Sequence, residues 1–145
     1  DFEKNLNTIY NILKPNGFFI ATVPGKKNMR QLVNAMFEAD IFFYKGSYQR
    51  FNPTREINNI FKTLKKLDFD NPIIFSENIS IEYSNFSKLL KDVKNMNSSY
   101  YYQDKRKYFE NKNYFTKLKE IYKEKFYDKN YLLNIECNII SAWKK

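Results

Sequence analysis

Apolar residues recur along this chain in two rhythms. From Phe2 to Leu13 they return every three or four positions, at Leu6, Ile9, Tyr10 and Leu13, which predicts a helix with one inward face. From Phe18 to Val23 they run without polar alternation, the pattern of a strand covered on both faces of a parallel sheet. Lys14-Pro15-Asn16-Gly17 separates the two. Pro15 fixes φ and removes a donor, so the helix must end near Leu13 or Lys14. Asn16 and Gly17 accept the left-handed angles a reversal needs. The strand stops at Pro24-Gly25.

The same reading continues down the chain. Met29, Leu32, Val33, Met36 and Phe37 mark a second helix, and the aromatic stretch Ile41 to Gln49 reads as a loop. Asn52-Pro53 predicts a helix start, Asn as cap and Pro at the first position, with Ile57, Ile60, Phe61, Leu64 and Leu67 inward. Asp68 to Asn71 turns the chain, and Pro72 opens an extended stretch with strands at Ile73–Ser76 and Ile79–Tyr83. Ser84 is the expected cap of a helix that turns Phe86, Leu89, Leu90 and Val93 inward. The polar, tyrosine-rich Asn97–Asn113 segment reads as an exposed helix or lid. A further helix carries Phe115, Leu118, Tyr122 and Phe126. Leu132 to Trp143 is a terminal strand with Leu133, Ile135, Cys137, Ile139, Ser141 and Trp143 on one face. With no repeat and no flexible linker, the chain is expected to form one domain.

Composition narrows the class. A chain of 145 residues with 43% hydrophobic and 19% aromatic content can build a core and is not a disordered tail. No apolar run approaches the roughly 20 residues of a membrane span, and no secretory leader is visible. Cys137 is the lone cysteine and histidine is absent, so a metal site or a histidine-based triad is not expected, and a reducing cytoplasm is the default compartment. The net charge of +9 and the run Tyr100 to Phe109, where basic and aromatic residues interleave, suggest phosphate contacts with base stacking. Lysine dominates that charge, Arg30, Arg50, Arg55 and Arg106 being the arginines, and few arginines mean few bidentate phosphate forks. Nucleic-acid binding is therefore the weaker reading.

The order helix, "ILKPNG" turn, strand, helix, "RFNPTREINNIFKTLKKLDF", strand, "FSKLLKDVKNMN", helix, "ECNIISAW" strand resembles the C-terminal half of a class I S-adenosylmethionine-dependent methyltransferase. The branch it resembles holds the malonyl-carrier-protein O-methyltransferases of biotin synthesis and the complex I assembly factor five proteins. Three places carry the likeness: the strand into Val23-Pro24-Gly25, the helix Phe86–Met96, and the terminal strand Ile135–Trp143. Where that family has Met-Gly-Ala-Thr-Asn, this chain has Met96-Asn97-Ser98-Ser99-Tyr100. The resemblance implies an α/β fold, the last three strands of a Rossmann-like sheet with helical insertions, as a single partial domain over residues 1–145. It also implies that the glycine-rich cofactor half lies outside the chain. None of the three glycines stands in a G-x-G-x-G spacing, so S-adenosylmethionine would be held elsewhere in the full protein and no cofactor-binding residue is expected here. The fragment alone is expected to be inactive and to expose the edge of Phe18–Val23 where a neighbouring strand would pair.

What the resemblance implies about function is methyl transfer to an acidic acyl or protein-linked acceptor, with an acyl-carrier or protein partner. Two alternatives stand beside it: a non-methylating assembly protein that hydroxylates a protein arginine, and a basic RNA-binding protein or RNA methyltransferase. No catalytic residue can be named. Pro24 and Gly25 end the central strand where cofactor and substrate meet in this fold, or merely terminate it. Arg30 could bind an acidic group or be solvated. Tyr48, Gln49 and Arg50 precede the Asn-Pro helix start in a lid-forming region of the relatives. Arg50, with its planar fork, is a carboxylate ligand or a surface salt bridge. Tyr83 and Met96 could line an acyl pocket, with packing the simpler role. Cys137 is expected buried and inert, and Trp143 packed.

Overall fold

A computed structural model describes residues 2–96, 100 and 109–145. The elements are α1 (Phe2–Ile12), β1 (Phe18–Pro24), α2 (Arg30–Tyr44), α3 (Ile57–Lys66), β2 (Phe69–Tyr83), α4 (Phe86–Asn95), α5 (Lys112–Phe126), β3 (Tyr127–Asp128) and β4 (Asn130–Lys144). The sheet has the order β1-β4-β2, with β3 paired to β4. β1 runs antiparallel to β4, from Phe18 opposite Trp143 to Pro24 opposite Cys137. Ser76 bonds Asn138 and Ser80 bonds Asn134, so numbers rise on β2 as they fall on β4, again an antiparallel pair. The α/β class is as expected. The parallel, doubly covered strand is not. Phe19 is 8% exposed, whereas Phe18 and Ile20 on the opposite parity are 47% and 62% exposed. β1 is the end strand of the sheet order, with the open edge the sequence implied.

The chain divides into two compact units, residues 1–28, 54–79 and 136–145, and residues 29–53 and 80–135. In the first unit Leu6 of α1, Phe19 of β1, Ile60 and Leu64 of α3, Phe69 of β2, and Ile140 and Ala142 of β4 form the core. The Lys14–Gly17 turn reverses the chain as its residues demand. Asn16 takes φ 60°, while Gly17 has no positive φ and is needed for space, since a Cβ there would lie 2.7 Å from the Lys14 carbonyl. The Lys144 ammonium donates to the carbonyls of Tyr10 and Leu13 at 2.9 Å, satisfying the end of α1. α3 begins at Ile57 rather than Pro53, with Glu56 extended at its cap position. Thr54, Arg55 and Glu56 offer no apolar side chain to bury, so helix forms only where Ile60 and Leu64 reach the core. β2 runs unbroken through Pro72, which an end strand of a sheet tolerates because its outward N–H is not needed.

In the second unit Leu32, Ala35 and Ala39 of α2, Phe86, Leu89 and Val93 of α4, and Tyr114, Leu118, Ile121 and Tyr122 of α5 pack with Tyr131 and Leu133. α2 continues through Ile41–Tyr44, where a loop was expected, because Phe43 and Tyr44 pack on this core. α4 is capped by Asn85, not Ser84: the Asn85 carboxamide oxygen accepts the Ser87 N–H at 2.7 Å. In α5 Phe115 is 42% exposed and Tyr114 takes the inward place. β4 does not bury one parity throughout. Tyr131 and Leu133 are buried in the second unit, while Asn138, Ile140 and Ala142 are buried in the first. Cys137 is half-buried rather than enclosed, and Trp143 is 47% exposed against Phe18, ring centroids 4.7 Å apart. Of the expected lid, residues 97–99 and 101–108 lie outside the described residues, and Lys112 and Asn113 belong to α5. Among the described residues no helix is long and apolar enough to cross a membrane.

Candidate functional site

The carboxyl end of β1 is built around one carboxylate. After Pro24, which is exposed, the Gly25 N–H donates to the Glu136 carbonyl at 2.8 Å. The Glu136 side chain accepts the Lys27 N–H at 2.6 Å, and the Asn28 N–H closes the turn on the Gly25 carbonyl at 3.2 Å. Gly25 is buried, and a Cβ there would lie 2.6 Å from the Glu136 Cγ. Only glycine leaves room for that carboxylate without displacing it. The Asn28 Oδ1 is buried with no partner among the described residues. Beside the turn is an open cavity of about 280 Å³, lined by Lys26, Glu56, Ser76, Glu136 and Asn138 among others. Lys26 and Glu56 meet at 2.5 Å across largely exposed side chains, a pair of small energetic weight. Their mutual hydrogen bond holds Lys26 above and Glu56 below its ordinary pKa.

In the second unit Arg30 opens α2 and is exposed, following Met29, which sits at φ 53° with its side chain 2% exposed. Tyr48 and Arg50 converge on Asp40, which is 1% exposed. The Tyr48 N–H donates to Asp40 Oδ2 at 3.1 Å, and Arg50 Nε to both Asp40 oxygens at 3.0 and 3.2 Å. Arg50 Nη2 also bonds Asp40 Oδ1, and Glu110 Oε1 at 2.6 Å. The Tyr114 hydroxyl donates to Asp40 at 2.9 Å, the Tyr44 hydroxyl to Glu110, and the Arg50 guanidinium stacks 4.7 Å from the Tyr114 ring centre. Burial disfavours the Arg50 charge, but the bonds to Asp40 and Glu110 outweigh it and hold Arg50 above its ordinary value. Gln49 is exposed and turns its amide to the Phe51 carbonyl at 2.7 Å.

The fork of Arg50 thus grips two carboxylates of its own chain, as its chemistry suits it to do. Tyr83 and Met96 line a cavity of about 530 Å³ with Lys88 and Asp92. Tyr83 itself is 5% exposed, and burial first, then Asp92, holds its phenol above the ordinary range. The sequence reading brought Tyr48 and Arg50 forward together, but it missed Asp40, Glu110, Tyr114 and Glu136. Ion partners 60 positions apart leave no local signal. Glu136 is the one acidic residue of β4, and that was the available clue.

No family model matches the chain. It is 32% identical over 85 residues to the mitochondrial arginine-hydroxylase NDUFAF5 of Dictyostelium discoideum, covering 59% of this chain and 20% of that protein. It is 22% identical over 107 residues to malonyl-[acyl-carrier protein] O-methyltransferase 1 of Coxiella burnetii, covering 74% of this chain and 35% of that protein. The chain is related to this methyltransferase branch. It spans about a fifth and a third of these two relatives. A crystal structure of a Bacillus halodurans protein assigned as a methyltransferase covers 98% of this chain and 62% of its own, with a TM-score of 0.51 at 13% identity. At that identity the likeness is one of fold, an α/β architecture shared over nearly the whole of this chain.

Proposed function

We propose that this chain is the substrate-facing segment of an S-adenosylmethionine-dependent methyltransferase whose acceptor is an acidic acyl or protein-linked group. The observation that supports it is the end of β1: in open α/β sheets, ligands gather at the carboxyl ends of strands, and here Pro24 and Gly25 form a tightly built turn at that end. In the second unit Arg30 is an exposed cation suited to an acidic group, while Tyr48 and Arg50 act by shaping the segment that ends at Gln49 and Phe51. The described residues do not themselves fit the cofactor. The space at Gly25 is taken by Glu136, so no open glycine cradle exists there, and cofactor binding is assigned to residues outside this chain. Methyl transfer from a sulfonium asks for alignment and a dry pocket more than for acid-base groups, so the lack of a histidine is compatible with it.

A second reading is action on a protein arginine, and Glu136 favours it. A carboxylate at the end of β1 suits a cationic acceptor and repels an anionic one. The test is to supply the complete protein with methyl-labelled S-adenosylmethionine and malonyl-loaded acyl carrier protein. Label in the carrier fraction supports the first reading. S-adenosylhomocysteine binding without label transfer moves the arginine reading to first place. The 145-residue chain alone is expected to transfer nothing.

A further inference from the structure

The open cavity of about 280 Å³ beside the Gly25 turn is lined by residues of the first unit alone. β4 contributes Glu136 and Asn138 to it, two residues on one strand face that stand about 7 Å apart along the strand. Asn138 is 2% exposed, and its Oδ1 accepts the Ser76 hydroxyl at 2.6 Å. Its Nδ2 is the end left over, with no partner among the described residues. A buried amide donor is costly to leave unpaired, so the cavity calls for an acceptor beside Asn138. Glu136 is fixed too. One of its oxygens accepts the Lys27 N–H at 2.6 Å, and the backbone at Gly25 packs against the carboxylate. The other oxygen also has no partner among the described residues and calls for a donor.

We propose that this cavity is a subsite for a neutral secondary amide carried by the acceptor. The charges on its rim, Lys26 and Arg55 against Glu56 and Glu136, cancel. Lys26 is held by Glu56, and the Arg55 guanidinium lies 5.0 Å from the Phe2 ring centre. A guanidinium or ammonium ligand satisfies Glu136 but offers Asn138 no acceptor. A carboxylate satisfies Asn138 but is repelled by Glu136. A hydroxyl carries both functions on one atom and does not span about 7 Å. A trans amide sends its N–H and its C=O in opposite directions, the one toward Glu136 and the other toward Asn138. The inference rests on the methyltransferase reading above and deepens it: the arm of an acyl carrier and the peptide unit of a protein acceptor both supply such an amide at the end of β1.

The test measures binding of pantetheine, N-acetylglycine methylamide and arginine to the complete protein by saturation-transfer NMR. Three near-isosteric variants accompany it: Asn138→Asp, Glu136→Gln, and Glu77→Gln on the exposed part of β2. Thermal melts check their folding, and if Asn138→Asp melts early, Glu136→Gln and the arginine comparison decide. The expected result is amide binding that falls about tenfold in both cavity variants, is unchanged in Glu77→Gln, and exceeds arginine binding. Pantetheine alone would assign the amide to a carrier arm and the methylamide alone to a protein acceptor, and either supports the proposal. Amide binding untouched by both cavity variants lies elsewhere and overturns it. So does arginine binding tighter than either amide, lost in Glu136→Gln and kept in Asn138→Asp. S-adenosylhomocysteine binding with no amide binding means that water or another part of the protein fills the cavity, which removes the subsite and leaves the cofactor reading intact. Absence of both removes the subsite and that reading together.

Discussion

Glu136 occupies the space that a side chain on Gly25 would need. A Cβ built on Gly25 falls 2.6 Å from the Glu136 Cγ and 2.7 Å from its Cδ, and the same carboxylate accepts the Lys27 N–H. Gly25 has no positive φ, so its requirement is steric alone. Gly25→Ala forces Glu136 to rotate away and give up a charge-assisted bond, at a cost of about 1–2 kcal/mol. In a Glu136→Ala background the same change costs under about 0.5 kcal/mol, because the obstruction is gone. Urea unfolding of the complete protein and the three variants measures this coupling. Additive costs would remove the steric link between the two residues.

Arg50 bridges Asp40 and Glu110, whose side chains are 1% and 8% exposed. Removing it leaves the Asp40 carboxylate buried without its guanidinium partner. Arg50→Ala is therefore expected to lower stability by about 3 kcal/mol or more. Arg50→Lys keeps the charge but not the fork, and should recover only part of the loss. Chemical denaturation is the measurement. Loss of under about 1 kcal/mol in Arg50→Ala would mean that the cluster is solvated, and would return Arg50 to consideration as a ligand for substrate.

The phenols of Tyr114 and Tyr122 are pushed well above their ordinary 10.0, in both cases first by burial. For Tyr114 the Arg50 charge works the other way, and the bond to Asp40 adds to the rise. A group whose folded pKa is raised contributes fully below its unfolded value and loses that contribution as pH climbs through the folded one. Stability from these two side chains is thus intact to about pH 10 and falls above it. Ultraviolet phenolate titration should find two tyrosines that ionise only as the protein unfolds in alkali. Ionisation of every tyrosine with an ordinary midpoint in the folded state would contradict their burial.

Two asparagines hold helix starts. Asn85 accepts from the Ser87 N–H, and Asn111 from the Tyr114 N–H at 2.9 Å. Each Asn→Ala change should cost about 1 kcal/mol, and Ser84→Ala should cost less. Thermal melts of the three variants decide it, with an equal effect at Ser84 counting against the assigned cap.

The places where sequence and structure part follow from what sets each feature. α1, the Lys14–Gly17 turn, α4 and the extent of β4 were legible because local chemistry determines them: a 3.6 period, a proline, a long stretch of alternating β-prone residues. α2 and α3 were misjudged at their ends. Ile41–Tyr44 looked like a loop by composition and is helical because Phe43 and Tyr44 reach a core that the sequence does not display. Asn52-Pro53 looked like a helix start and is not one, since no apolar residue follows until Ile57. The facing of β4 changes parity along its length, which no single alternation could express. At the candidate site Gly25 was visible from its own residue type, but Glu136, which gives that glycine its purpose, is brought there only by the pairing of β1 with β4.

The most direct measurement of the central claim is a calorimetric titration of S-adenosylhomocysteine into the complete protein to which this chain belongs. Saturable binding in the micromolar range, absent for the 145-residue chain alone, is the result expected if this chain is the substrate-facing segment of a methyltransferase. Absence of binding by the complete protein would contradict it and leave a methyltransferase fold put to another use.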